Sequence, residues 1–202
     1  MPGPLGAAER LPLTFRVGFA AQQGGTPDTF VLATVPGAVQ LDWARAHDWP
    51  SHVIGNNPAA YAWMEDVYWR YEAEVERPRL APGARVHFIL RGVDYAFRVL
   101  VDGKPVFEQE GMFRPVDLDV TALLRSRSVL AVEVAPAPKY PHAHRPKAQA
   151  SRSCKPAVSY GWDFHPRLVP LGIWDEAYLE VRPSVTVGPA AVPYELSAAL
   201  AR

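Results

Sequence analysis

The 202-residue sequence has little cysteine and no excess of charge. Its single cysteine, Cys154, excludes an intramolecular disulfide. Lys and Arg together number 21, as do Asp and Glu, so the formal net charge is zero. Without a long-range field to attract a polyanion, nucleic acid is not expected as a partner. Because an unpaired thiol suits a reducing compartment, we expect a cytoplasmic protein.

Long apolar runs are also missing. No segment approaches the roughly 20 apolar residues that a membrane-spanning helix needs. The first residues, MPGPLGAAERLPLTF, carry Pro, Gly and Glu where a secretory signal has a basic start and an unbroken apolar stretch. No membrane partner is therefore expected.

Proline, by contrast, is abundant, with 21 residues along the chain. Because proline is excluded from helix interiors and central strands, this abundance favours many short strands joined by turns. The length suits a single all-β domain. We therefore predict an all-β fold, an antiparallel jelly-roll β-sandwich of roughly eight strands.

The strand predictions depend on alternation of apolar residues. Residues 67–75 place every second side chain on one apolar face, and residues 95–101 alternate in the same way. Asp102-Gly103 then supplies the two positive-φ residues of a tight hairpin. Further strands are predicted at 129–134 and 176–182.

Two segments depart from the strand pattern. A short helix is predicted through Trp43. Residues 135–158 are proline-rich, basic and without a period, which indicates a long excursion of the kind that is often functional. Its basic residues could form an anion-binding face, but we favour a solvated loop that docks on a neighbouring domain. They are Lys139, Arg145, Lys147, Arg152 and Lys155.

Several glycine and tryptophan residues have predicted structural roles. Gly161 and Gly172 are expected to meet backbone requirements. Trp63 and Trp69 are assigned to the core, and Trp174 is expected to open the final strand from a core position.

Six separated motifs occur in an order that resembles the N-terminal sugar-binding domain of family 2 glycoside hydrolases. They are VPG (35–37), WRYEAEV (69–75), FILRGVDYAFRVLVDGKPV (88–106), MFRPVDLDVTALL (112–124), VLAVEVAP (129–136) and GWDFHPRLVPLGIW (161–174). The last motif is similar to the β-mannosidase-like branch, where a Gly-Trp-Asp-aromatic motif and a later Gly-Ile-Trp recur. The resemblance implies a galactose-binding-domain-like fold over residues 1–187, with 188–202 as a linker or the start of a following domain.

The resemblance also implies how catalysis is divided. Full enzymes of the family join this domain to an immunoglobulin-like domain and a (β/α)₈ barrel, whose two glutamates perform retaining hydrolysis. By this resemblance the segment is non-catalytic and needs no cofactor. Its expected partners are a β-linked oligosaccharide or glycoside and the following domains of the same chain.

The resemblance assigns the substrate-binding role to Trp162 and Asp163, on a loop that contributes to the terminal-sugar pocket. An indole face can pack on the C–H face of a pyranose, and a carboxylate can accept hydrogen bonds from two vicinal hydroxyls. Arg167 is expected to orient Asp163, and His165 is a supporting residue. The chain departs from the family at Phe164, commonly Trp, and at His165, often Gly, which bears on the identity of the sugar.

Four alternatives remain open. Trp162 could be a core residue, with Asp163 a turn residue paired to Arg167. The chain could be a stand-alone carbohydrate-binding module without catalysis, or a sandwich that only supports a barrel. Finally, His142, His144 and His165 could hold a metal ion, although the basic loop has no carboxylate or thiolate partner close in sequence except Cys154.

Overall fold

The computed structural model describes residues 7–185 and 191–193. The predicted domain boundary at residue 187, and most of the predicted linker, lie outside these residues. The described chain forms one α-helix, α1 (Val39–Ala46), and 3₁₀ helices at Asn57–Asp66, Pro146–Ala150 and Ala157–Tyr160. Its strands are β1 (Glu9–Pro12), β2 (Phe15–Ala20), β3 (Val31–Ala33), β4 (Tyr68–Glu76), β5 (Arg85–Leu90), β6 (Val93–Asp94), β7 (Ala96–Val101), β8 (Lys104–Glu110), β9 (Val116–Asp119), β10 (Arg127–Val134), β11 (Gly172–Ile173) and β12 (Ala177–Arg182).

The strands form two larger antiparallel sheets with a shared apolar core. One sheet has the order β1-β12-β5-β9 and the other β3-β2-β4-β10-β7-β8, while β11 pairs with β6. Buried side chains from both larger sheets meet between them, including Phe88 and Leu179 from the first and Trp69, Tyr71 and Leu130 from the second. The predicted all-β sandwich of short strands is thus confirmed, with twelve strands among the described residues where roughly eight were expected.

The alternation in the sequence defines the buried face of the larger sheet. Along β4, the side chains of Trp69, Tyr71, Ala73 and Val75 point into the core, as predicted. β10 lies between β4 and β7, and both of its faces are buried.

The predicted hairpin joins β7 to β8. Asp102 and Gly103 have φ values of 48° and 77°, as a tight turn between twisted strands requires. The Asp102 carboxylate also accepts hydrogen bonds from the Val129 backbone N–H and the Ser128 hydroxyl, at 2.9 and 3.2 Å. The turn residue therefore binds the neighbouring strand as well as reversing the chain.

An aromatic cluster lies where α1 and the first 3₁₀ helix cover the sandwich. The ring of Phe19 lies 5.1 Å from Trp43, 4.8 Å from Trp63 and 5.5 Å from Trp69, measured between ring centroids. The predicted short helix through Trp43 and the core positions of Trp63 and Trp69 are confirmed.

Trp174 does not occupy the predicted core position. The side chain precedes β12, and the residue is 40% exposed. Its indole lies over Gly92, where any Cβ would be 2.4 Å from the ring, and its Nε1 donates to the Met112 carbonyl at 3.1 Å. Because Gly92 has no side chain, the indole can pack against its backbone at the surface. The alternation of residues in the sequence does not predict this position.

The excursion between β10 and β11 is folded against the sandwich. The Ala137 N–H donates to the Glu65 carbonyl at 2.8 Å, and the buried Tyr160 donates its hydroxyl to Pro138 at 2.5 Å. Val169 and Leu171 enter the core. This anchored excursion positions the candidate site.

Candidate functional site

A tight turn at Trp162–His165 presents the residues that were predicted to bind sugar. The Trp162 N–H donates to the His165 carbonyl at 2.9 Å, and the His165 N–H donates back to Trp162 at 3.2 Å. Asp163 and Phe164 therefore occupy the tip, where Asp163 is exposed and Phe164 is 81% exposed. Gly161 enters the turn with φ of 111°, a conformation that favours glycine. This agrees with its predicted backbone role.

The Trp162 side chain lies at the surface. The residue is 42% exposed, and the Lys147 ammonium lies 3.7 Å from its ring centroid. At this distance the cation is attracted by the negative face of the indole. The contact joins the turn to the 3₁₀ helix Pro146–Ala150, so the orientation of the ring depends on two parts of the excursion.

The turn forms one wall of an open groove of about 480 Å³. That volume falls within the roughly 300–1,000 Å³ typical of small-molecule sites. The groove combines an aromatic surface, an exposed carboxylate and cationic donors. Its lining includes Arg145, Lys147, Tyr160, Trp162, Asp163 and Arg167. Such a surface can accept and donate hydrogen bonds to a polyhydroxylated molecule while packing on its apolar face.

Arg167 does not orient Asp163, contrary to the prediction. Its Nη2 donates to Glu65 Oε1 at 2.5 Å, its Nε lies 3.1 and 3.2 Å from the two Glu65 oxygens, and its Nη1 donates to the Tyr160 carbonyl at 3.3 Å. Glu65 is buried, whereas Asp163 is exposed. A buried carboxylate gains more from a counter-charge than one that water already solvates, which explains the choice of partner.

A second cation completes the charge balance around Glu65. Lys139 Nζ lies 2.7 Å from Glu65 Oε1 and also donates to Asp66. Burial opposes protonation of Lys139, but hydrogen bonds to Asp66 and Glu65 raise its pKa above the ordinary value. The prediction that this lysine belongs to a solvated basic face is therefore wrong.

Lys155 is buried as well, and its prediction as a solvated residue is also wrong. Its side chain has no solvent exposure, and Nζ donates to Asp94 Oδ2 and to the Pro170 carbonyl, both at 2.5 Å. Burial lowers the pKa of Lys155 and raises that of Asp94, while the attraction between them opposes both shifts. Sequence reasoning missed this pair because no local pattern links the two residues, which lie 61 positions apart.

The histidines are not brought together. His142 lies edge-on to Tyr140, with 5.6 Å between ring centroids, and His165 belongs to the turn. Among residues 7–185 and 191–193, no three His, Cys, Asp or Glu side chains are grouped so that they could hold a metal ion. None of the helices described here is both long and apolar enough to cross a membrane.

Comparisons with known proteins agree on one family. Residues 19–175 match the family model described as "Glycosyl hydrolase 2 galactose-binding domain-like". The β-mannosidase B of Aspergillus clavatus is 26% identical over 192 residues, which cover 88% of this chain and 23% of that protein. The β-mannosidase B of Emericella nidulans is 27% identical over 174 residues, which cover 77% of this chain and 20% of that protein.

A similar fold occurs among solved structures. The β-D-mannosidase from Dictyoglomus thermophilum matches with a TM-score of 0.70 and 22% sequence identity, over 88% of this chain and 22% of that chain. The chain thus spans less than a quarter of the length of each of these three proteins. The likeness concerns one part of much longer polypeptides.

Proposed function

The chain belongs to the glycosyl hydrolase 2 galactose-binding domain-like family, and we propose that it is the non-catalytic, N-terminal carbohydrate-binding domain of a β-mannosidase-like β-glycosidase. In this proposal, residues 1–187 form the domain and 188–202 lead into an immunoglobulin-like domain and a catalytic (β/α)₈ barrel. The barrel's two carboxyl groups carry out retaining hydrolysis. The exposed free thiol of Cys154 supports a cytoplasmic location.

The observation that carries the proposal is the exposure of Trp162 and Asp163 on a constrained turn beside a groove. A tryptophan kept for core packing would be expected to lie in the apolar interior, as Trp69 does. The paired backbone hydrogen bonds of the turn limit its motion, so the backbone that carries Asp163 is pre-organised before a ligand arrives. These features favour a role in ligand binding over a role in core packing.

The two side chains would divide the recognition of the sugar. Lys147 covers part of the Trp162 ring, so we expect the sugar's C–H face to use the uncovered part. Asp163 forms no ion pair or hydrogen bond within the described chain, which leaves its oxygens free to accept from vicinal hydroxyls. Arg167 and His165 act in support, Arg167 by holding the loop to Glu65 and His165 by closing the turn.

The proposal is tested by Asp163→Ala in the complete polypeptide that the gene encodes. We expect kcat/KM for a β-mannoside to fall by ~10²-fold or more, because hydroxyls in a desolvated subsite lose their acceptor. Asp28→Ala is the matched control, since Asp28 is exposed and does not line the groove. Unchanged kinetics of Asp163→Ala would contradict the proposal and favour a purely structural sandwich.

The same Asp163→Ala variant distinguishes this proposal from the alternative of a stand-alone binding module. If no catalytic domain accompanies the chain, calorimetry should detect glycan binding by the chain itself, and Asp163→Ala should abolish it. An absence of heat with mannosides, glucosaminides and galactosides would count against that alternative.

A further inference from the structure

The segment that presents the Trp162 turn is closed at its base by one buried side chain. We call residues 155–170 the presenting loop. Lys155 begins the loop, and its ammonium donates to the carbonyl of Pro170, which ends it. The same ammonium donates to Asp94 on β6 of the sandwich. One group therefore joins both ends of the loop to the body of the domain.

The interior of the presenting loop is held by its own backbone hydrogen bonds. Leu168 N–H donates to the Ser159 carbonyl at 3.0 Å, and Gly161 N–H donates to Val158 at 3.0 Å. These bonds shape the loop but do not connect it to the sandwich. The loop is joined to the rest of the domain by the buried side chains of Tyr160 and Val169 and by Gln40, whose amide donates to the Val169 carbonyl at 2.8 Å. Two ion pairs add to these contacts, Lys155–Asp94 at the base and Arg167–Glu65 nearer the tip. Of the two ion pairs, the one at the base also reaches the far end of the loop, because Lys155 donates to Pro170.

The charges at the base are interdependent. The Lys155 side chain is fully buried and Asp94 is nearly so, so neither can find water as a substitute partner. The second carboxylate oxygen of Asp94, Oδ1, is buried without a hydrogen-bond partner, which leaves Lys155 as the counter-charge for that carboxylate in the described chain. Breaking such a pair from one side leaves a charge without compensation in a low-dielectric interior.

From this geometry we propose that Lys155 is a positioning residue, which fixes the presenting loop on the sandwich so that Trp162 and Asp163 meet the sugar in a single arrangement. The inference rests on the proposed function. Lys155 does not line the groove, so its effect on binding passes through the loop. An error of about 1 Å in the placement of a contacting group can lower activity by about 10²-fold, so a loosened base should be visible in binding.

The test must separate positioning from folding. Lys155→Met alone leaves Asp94 buried and uncompensated, and the chain could fail to fold for that reason. The double variant Lys155→Met/Asp94→Leu replaces the ion pair with apolar side chains, a change that is often neutral or stabilising for the fold. It still removes the donor to Pro170. If the double variant does not fold, Lys155→Gln/Asp94→Asn gives the same comparison, because both replacements are neutral and the glutamine side chain is one atom shorter than that of lysine.

Two measurements on each variant give independent readouts. Amide hydrogen exchange should rise ~10-fold or more at Trp162, His165 and Leu168 in the double variant, while the β4 and β10 amides keep their protection. Affinity for D-mannose, used as the probe, should fall ~10-fold or more at a nearly unchanged Tm. Arg85→Gln is the control. It breaks an exposed ion pair between Arg85 on β5 and Asp119 on β9, both in the four-stranded sheet, and should affect neither readout.

The outcomes distinguish the two proposals. Unchanged exchange at the three loop amides would overturn the role of Lys155, whatever the sugar data show. Faster exchange with unchanged affinity for mannose would overturn the link between the loop and the sugar. An unmutated protein in which the sugar neither binds nor is turned over would overturn the proposed function, while the exchange data would still decide whether Lys155 holds the loop.

Discussion

The partner of Arg167 can be decided by a double-mutant cycle. In the structure the guanidinium binds Glu65 through three N–O contacts between 2.5 and 3.2 Å. Hydrogen bonds that involve charged groups contribute roughly 1.5–3 kcal/mol, and removing one partner of a buried pair costs about 3–5 kcal/mol. Because Lys139 remains beside Glu65 and Arg167 is partly exposed, we expect Arg167→Met to cost about 2 kcal/mol.

The assay is urea denaturation followed by tryptophan fluorescence, with two cycles that share the Arg167→Met variant. The first pairs it with Glu65→Gln and should give a coupling energy of about 1–2 kcal/mol. The second pairs it with Asp163→Ala, which serves as the matched control, and should give a coupling near zero. Both partners are acidic residues near the same arginine, so the comparison isolates the contact.

One result would refute this reasoning. If the coupling between Arg167 and Asp163 equalled or exceeded that between Arg167 and Glu65, then the arginine would hold the turn tip and not the buried carboxylate. Lys139 would then have to balance Glu65 alone.

Two further predictions concern the scaffold. Gly172→Ala should lower the free energy of unfolding by about 2–5 kcal/mol, because φ is 136° and the new Cβ would lie 2.5 Å from the Tyr71 hydroxyl. Gly103→Ala is the comparison: φ is 77°, nothing lies near the new Cβ, and the loss should be only about 1 kcal/mol. Equal losses in urea denaturation would contradict the argument from crowding at Gly172. The Thr121 hydroxyl and N–H help to hold the pKa of Asp119 at about 2. The contribution of this carboxylate to the free energy of unfolding is therefore present above about pH 4 and is lost as the pH falls through about 2. Asp119→Asn should therefore cost about 1 kcal/mol at pH 7, after allowance for solvent screening, and almost nothing well below pH 2. A loss that does not depend on pH would count against this cause.

Much of the scaffold could be predicted from the sequence because its signals are local. The alternation along 67–75 predicted which side of β4 is buried, and Asp102-Gly103 predicted the hairpin between β7 and β8. Both depend on neighbouring residues and on backbone conformations that few residue types adopt. Trp174 shows the limit of such reasoning, because its position depends on the space above Gly92, which lies on a different segment.

The candidate site could be predicted only as a list of residues. The motif selected Trp162 and Asp163, and the structure places both at the surface of the same turn. The motif did not show which contacts hold this turn in place. Arg167 had a nearby acidic residue in the sequence, yet its partner in the fold is Glu65.

The sequence by itself determined the β-sandwich and its main hairpin, because each follows from side-chain periodicity or from permitted φ values over a few residues. Only the tertiary structure decided which charges meet. Lys155 binds Asp94 across 61 positions and Arg167 binds Glu65 across 102, and both pairs exist because folding buries a carboxylate that must then be compensated by whichever cation the packed chain brings near it.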